Sequence, residues 1–308
     1  MKIKIGTRGS ALALWQANWV KDRLETRHPG LSVELVKIKT KGDKILDTAL
    51  AKVGGKGLFV KEIEDALIRN ETHLAVHSMK DVPADLPEGL IIDAIPERED
   101  VRDAFIAREV STWKDLPQGA RVGTSSLRRQ SQLLSRRPDL TMIPLRGNVE
   151  TRLKKLETEN LDAVVLAVAG IKRMKLEDRI TEYFSDDIML PAIGQGALAL
   201  EVREDDREVR ELIRFLKHPD TETAMAAERS FLRTLQGGCQ VPIAALARVD
   251  GDTVRISGLV ADTDGSSVFR DSAEGPADDA ARIGSELAAR ILDQGARDIL
   301  EKLLEAEL

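Results

Sequence analysis

From residue 2 to residue 168 the hydrophobic pattern switches repeatedly between a period of two and a period near 3.6. This alternation limits the fold more than any other feature of the chain. Residues 2–6 alternate as a strand, Ser10 stands where a helix N-cap belongs, and residues 11–26 form an amphipathic helix stopped by His28-Pro29-Gly30. Residues 32–39 alternate again, 58–69 return to helical spacing, and 73–77 read as a short buried strand. A second run follows, with strands over 103–107, 120–123, 141–145 and 162–168 and helices over 126–137 and 149–157. Strands separated by helices pair mostly in parallel. In such sheets ligands collect beyond the carboxyl ends of strands. The polar clusters at 7–10, 78–81, 123–129 and 146–148 occupy those ends.

The tail has a different character. A helix over 221–235 precedes a meander of strands over 243–248, 253–261 and 267–271, turning at Asp250-Gly251-Asp252 and Asp264-Gly265. Helices over 278–292 and 297–308 close the chain. A length of 308 residues exceeds a typical single domain, so two or three domains are expected. No apolar run is long enough for a membrane span. The N-terminus has neither a signal core nor a transit composition, and a lone cysteine cannot form an internal disulfide, so a cytoplasmic location is expected.

The net charge of −6 conceals two opposed regions. Residues 121–155 hold nine Lys/Arg and two Asp/Glu, whereas residues 250–308 hold fourteen acidic and six basic residues. A basic run can be no more than a solvated helix face. Here, however, Gly123-Thr124-Ser125-Ser126-Leu127-Arg128-Arg129 puts hydroxyls and two guanidinium forks at a helix N-terminus, an arrangement suited to carboxylate or phosphate. Arg146 and Arg152 flank another strand end, and Arg8 with Ser10 forms a third such cluster. The basic run contains no aromatic residue for base stacking, so small anions fit it better than nucleic acid.

Three residue types remain to be weighed. Cys239 sits in Gly237-Gly238-Cys239-Gln240-Val241-Pro242. A single cysteine is commonly a small buried hydrophobe, but paired glycines leave a sulfur approachable. His73 and His77 have helical metal spacing, yet in a strand they would stand about 13 Å apart, so no metal site is expected. Asp81 is an acid among cations. It can cap a helix or pair with Lys80, or it can hold N–H donors and stabilise developing positive charge.

Taken together, these segments resemble the porphobilinogen deaminase (hydroxymethylbilane synthase) family along nearly the whole chain. The resemblance is carried by residues 6–10, Lys39-Thr40-Lys41-Gly42-Asp43, Gly54-Gly55-Lys56-Gly57-Leu58-Phe59 and residues 75–83. It continues through 123–129, Leu145-Arg146-Gly147-Asn148-Val149, Gly194-Gln195-Gly196-Ala197 and 237–242. Met79, Val101 and Leu246 depart from the family's usual leucine, proline and aromatic residue, and none is a proposed catalytic group.

The resemblance implies an α/β architecture of two periplasmic-binding-protein-like lobes with mostly parallel sheets, plus a small α+β C-terminal domain. Residues 1–96 with 197–215 would form lobe 1, 97–196 lobe 2, and 219–308 the domain carrying the cysteine. It implies a dipyrromethane cofactor joined to Cys239 by a thioether. Four porphobilinogen molecules would condense on it with loss of ammonia, before hydrolytic release of a linear tetrapyrrole. Asp81 would be catalytic. Cys239, Lys80, Asp81, Thr124, Ser126, Arg128, Arg129, Arg146, Gly147 and Arg152 would hold the cofactor. Arg8, Ser10, Phe59, Ser78, Arg173 and Gln195 would hold substrate, with Phe59 and the basic loop before it able to cover the cleft. Each pyrrole unit carries two carboxylates, which accounts for the arginines. A monomer is expected. The alternative is a non-catalytic two-lobed binding protein for a small carboxylate ligand, which the cysteine loop does not suit.

Overall fold

The computed structural model describes residues 1–44, 57, 59–236 and 241–305. Two five-stranded sheets and one three-stranded sheet organise them. The first sheet has the order β2-β1-β3-β10-β4. Its strands are β1 (Lys2–Thr7), β2 (Ser32–Lys37), β3 (Leu74–Ser78), β4 (Leu90–Ala94) and β10 (Leu198–Arg203). β1 is parallel to β2 and β3, while β10 is antiparallel to both β3 and β4. The second sheet has the order β7-β6-β8-β5-β9. It uses β5 (Asp103–Ala107), β6 (Arg121–Gly123), β7 (Thr141–Ile143), β8 (Ala163–Ala167) and β9 (Glu182–Tyr183). Only β5 runs against its neighbours there. Both lobes are therefore mostly parallel with one reversed strand.

Period-two patterning accounts for the double-sided burial of the second sheet. Phe105, Ala163 and Val165 enter one core, while Ala104, Ile106, Val164 and Leu166 enter the core on the opposite face. In the first lobe the helix Ala11–Arg27 buries Ala17, Val20 and Leu24 against Ile3, Ile5, Leu74 and Val76. The chain passes between the lobes twice, after β4 and again before β10, and these passages lie side by side. Arg98 Nε donates to the Gln195 carbonyl at 2.8 Å, and the Glu99 N–H donates to the Gly196 carbonyl at 3.3 Å.

The third unit packs the helices Pro219–Thr234 and Ala280–Ile291 on an antiparallel meander of β11 (Ile243–Asp250), β12 (Thr253–Ala261) and β13 (Val268–Pro276). β13 continues well past the expected end at residue 271. Its last residues are poor strand formers, but β12 offers a full-length partner and pairing overrides propensity. Conversely, the helix expected over 58–69 is seen only over Lys61–Ile68, because Gly57 turns with φ +79° before it. Met79 and Val82 from lobe 1 enter the third unit's core. Among the described residues no helix is long and apolar enough to cross a membrane.

Candidate active site

Strand β3 ends at Ser78 and turns through one 3-10 turn, Met79–Asp81. Asp81 lines a small pocket with Arg8, Ser10, Gln16, Phe59 and Ser78. Ser10 caps the helix Ala11–Arg27, its Oγ accepting from the Ala13 N–H at 3.3 Å. Gln16 Nε2 donates to Ser78 Oγ at 2.9 Å and so fixes that hydroxyl. Arg8 follows β1 directly. Its Nε donates to Asp43 Oδ1 at 3.1 Å, and its guanidinium lies 4.3 Å from the centre of the Phe59 ring. Gly42 admits that ring, since a Cβ there would stand 2.2 Å from a Phe59 ring carbon.

The lobe 2 side is cationic. Arg128 and Arg129 open the helix Leu127–Leu134, and both side chains are buried. Sequence patterning gives them to a ligand, but the structure pairs both with Asp103. Arg128 Nη1 lies 2.7 Å from Asp103 Oδ2, and Arg129 Nη2 lies 2.7 Å from Asp103 Oδ1. Burial works to raise the Asp103 carboxyl, but the two guanidiniums and the Gln195 amide outweigh it and hold it at about 2. Two arginines sharing one carboxylate keep a net positive charge. Arg128 Nε is buried without a hydrogen-bond partner among the described residues. Arg129 Nη1 donates to the Val165 carbonyl at 2.8 Å, which anchors the pair to β8.

Arg152 and Lys80 belong to the same neighbourhood. Burial lowers Arg152 to about 10, with Arg129 and Arg146 acting in the same direction and Asp81 opposing. Burial likewise brings Lys80 down to about 8, against Asp81 and with help from Arg129. The fold thus gathers Lys80, Asp81, Arg128, Arg129, Arg146 and Arg152. Gly147, with φ +112°, bends the β7 exit so that its carbonyl accepts from Arg152 Nε at 2.8 Å. Thr124 Oγ1 accepts from the Ser126 N–H at 3.2 Å. Ser126 gives the helix Leu127–Leu134 no side-chain cap, so its first N–H groups lack that acceptor.

Arg173 lies at the passage between lobes, and Gln195 links that passage to the Asp103 cluster. Arg173 Nη2 donates to the Gly196 carbonyl at 2.7 Å, and its guanidinium stands 5.7 Å from the Trp15 ring centre. Burial lowers Arg173 to about 10, with Glu99 opposing. Gln195 Nε2 donates to the Val101 carbonyl at 2.8 Å and to Asp103 Oδ1 at 3.1 Å. Cys239 and most of the basic loop before Phe59 lie outside the described residues.

Several residues escaped the sequence patterns. Asp103 opens an otherwise apolar strand, and Gln16 and Glu228 are polar groups on the buried faces of their helices. A buried polar residue on an apolar stripe is the signal that could have found them. Glu228 binds Arg98 Nη1 at 2.6 Å and accepts from the Gly194 N–H at 2.7 Å and the Ala247 N–H at 2.8 Å. His77 Nε2 pairs with Glu201 Oε2 at 2.9 Å, and His73 Nδ1 accepts from the Lys4 N–H at 3.0 Å. Among the described residues no cluster of three or more His, Cys, Asp or Glu could hold a metal ion.

A protein-family model described as "Porphobilinogen deaminase, dipyromethane cofactor binding domain" matches residues 3–211. A second, "Porphobilinogen deaminase, C-terminal domain", matches residues 222–293. The chain is 57% identical over 307 residues to a porphobilinogen deaminase of Geobacter sulfurreducens, covering 100% of this chain and 96% of that protein. It is 59% identical over 301 residues to one from Syntrophotalea carbinolica, covering 98% and 96%. Among solved structures, the methionine binding protein MetQ aligns with a TM-score of 0.46 at 14% identity, over 69% of this chain and 89% of that one.

Proposed function

The chain belongs to the porphobilinogen deaminase family and is a transferase, and from that premise we propose that it is a hydroxymethylbilane synthase. It condenses four porphobilinogen molecules head to tail with loss of ammonia and releases the linear tetrapyrrole by hydrolysis. The observation that carries this reading is the place of Asp81, where the pocket behind Arg8 and Ser10 meets the cationic cluster of lobe 2.

The residues suit a polyanionic pyrrole chain. Lys80, Arg128, Arg129, Arg146 and Arg152 gather around Asp81 and Asp103, and among the described residues the buried Arg128 Nε has no hydrogen-bond partner. These groups, with Thr124, Ser126 and the backbone at Gly147, would hold the carboxylates of a dipyrromethane cofactor joined to Cys239 by a thioether. The cofactor, when bound, supplies the nucleophilic pyrrole carbon on which growth begins.

Arg8, Ser10, Ser78 and Phe59 orient the incoming substrate, and Arg173 with Gln195 steadies the passage between lobes. Asp81 accepts hydrogen bonds from pyrrole N–H groups. As ammonia leaves the substrate's aminomethyl carbon, the Asp81 carboxylate stabilises the positive charge spreading over that ring. Tethering replaces repeated bimolecular encounters with one bound chain. On this reading residues 1–96 with 197–215, 97–196 and 219–308 form the three domains of a cytoplasmic monomer acting on a small-molecule substrate.

Intact mass of the denatured protein tests it. The mass should exceed that of the sequence by two linked pyrrole units, acid with Ehrlich's aldehyde should give a pyrrole colour, and Cys239→Ser should lose both. Asp81→Ala should remain folded and lose nearly all turnover of porphobilinogen. A bare thiol in active enzyme, or a folded Asp81→Ala with normal turnover, would overturn the reading.

A further inference from the structure

The turn that presents Lys80 and Asp81 has a second side. Met79, the first residue of the turn, is 2% exposed and packs away from the pocket into the core of the third unit, as does Val82. The helix Pro219–Thr234 meets this back surface through two consecutive charged residues. Glu228 accepts from the Gly194 N–H. Gly194, with φ +71°, lies so close to the turn that a Cβ there would stand 2.6 Å from Met79 Cγ and 3.1 Å from the Lys80 nitrogen. Arg229 takes the other flank. Its Nη2 donates to the Pro83 carbonyl at 2.8 Å and the Ala84 carbonyl at 3.1 Å, and its Nη1 lies 3.7 Å from Met79 Sδ.

We infer that Arg229 is a positioning residue that sets the place of Asp81 from behind, acting through the backbone of residues 79–84. The inference rests on the role given to Asp81 above. Other contacts also hold the turn: Met79 and Val82 are buried in the third unit's core, and Arg233 Nη2 donates to the Ala84 carbonyl at 3.4 Å. Within it the Val82 N–H donates to the Met79 carbonyl at 3.1 Å, and the Met79 N–H donates to the Ala197 carbonyl at 3.0 Å. Pro83 contributes no N–H, so the segment leaving Asp81 is fixed through its carbonyls. A charged, planar guanidinium bridging two successive carbonyls fixes both position and direction, which a single neutral donor cannot do.

The helix that carries Arg229 also leads in sequence to Cys239. Arg229 therefore ties the catalytic carboxylate to the element that precedes the cofactor's attachment point. An open groove of about 320 Å³ beside Met79, Met225 and Arg229 leaves room for a different side chain at this position.

The test compares wild type with Arg229→Met and Arg229→Lys, each checked by intact mass for the two-pyrrole increment. Steady-state kinetics, melting temperature and amide hydrogen exchange of residues 78–84 are then measured. A small displacement of a catalytic group lowers rates on the order of tenfold to a hundredfold. Arg229→Met should lose that much kcat with KM within about threefold, exchange faster at 78–84 alone, and melt near wild type. Arg229→Lys, which keeps the charge and can reach one carbonyl, should recover part of the rate.

Wild-type kcat in Arg229→Met would overturn the inference, as would a loss of rate matched by faster exchange throughout the protein. If Arg229→Met does not fold, Arg229→Lys decides: full kcat with unaltered exchange at 78–84 overturns the inference. Wild-type protein that does not consume porphobilinogen would instead refute the proposed function. The exchange comparison would then still show whether Arg229 orders the turn.

Discussion

Substituting Glu64 with glutamine should flatten the pH dependence of this protein's stability. Glu64 lies on the helix Lys61–Ile68 and is buried. Burial is the main force raising its carboxyl from the ordinary 4.5 to about 7; Glu201 of β10 raises it further, and His77 of β3 opposes. Asp65 and Lys61 on its own helix add smaller, opposed effects. Glu64 Oε1 and Glu201 Oε1 are both buried without hydrogen-bond partners among the described residues.

A raised folded-state value means that the native protein binds the proton more tightly than the unfolded chain. Stability from this group is full below about 4.5, declines through the interval, and levels off above about 7. At about 1.4 kcal/mol per pH unit the interval amounts to about 3 kcal/mol. Glu64→Gln mimics the protonated acid. It should match wild type near the acid end of the interval and exceed it by about 2–3 kcal/mol at pH 8. Urea denaturation is followed by tryptophan fluorescence, to which Trp15 and Trp19 of the helix Ala11–Arg27 contribute from lobe 1 and Trp113 from lobe 2. A difference between the two proteins that stays constant from pH 5 to pH 8 would refute the reasoning.

Asp103→Asn leaves Arg128 and Arg129 buried beside an amide in place of their shared carboxylate, and should cost about 3–5 kcal/mol of stability, read as a lowered denaturation midpoint. A midpoint within error of wild type would show that the pair is held by other groups. Lys80, with its ammonium brought down to about 8, loses its positive charge as pH rises through that value, so kcat/KM for the anionic substrate should fall on the alkaline side. In Lys80→Met that limb should disappear from the pH profile; its persistence would assign the titration to another group.

The two lobes and the meander were legible because their cores follow local periods. Ile3 and Ile5 alternate along β1, and Ala13, Ala17, Val20 and Leu24 repeat along a helix face. The gathering of polar clusters at the ends of β1, β3 and β6 was legible for the same reason, since a parallel sheet presents its carboxyl ends together. Charge patterning found Asp81 and its surrounding cations, because short-range sequence order already puts Lys80 beside Asp81 and Arg128 beside Arg129.

Only the tertiary structure decided what those cations face. Asp103 lies far from Arg128 in sequence and meets it because β5 runs antiparallel to β8 in a sheet whose order the chain does not announce. The Arg229 grip on residues 83 and 84, the Glu228 contact with Gly194, and the insertion of β10 between β3 and β4 are likewise long-range. Local periodicity fixes which face of an element is apolar. Which elements meet, and so whether a buried charge is left for a ligand or neutralised by the protein, depends on three-dimensional packing that no sequence window contains.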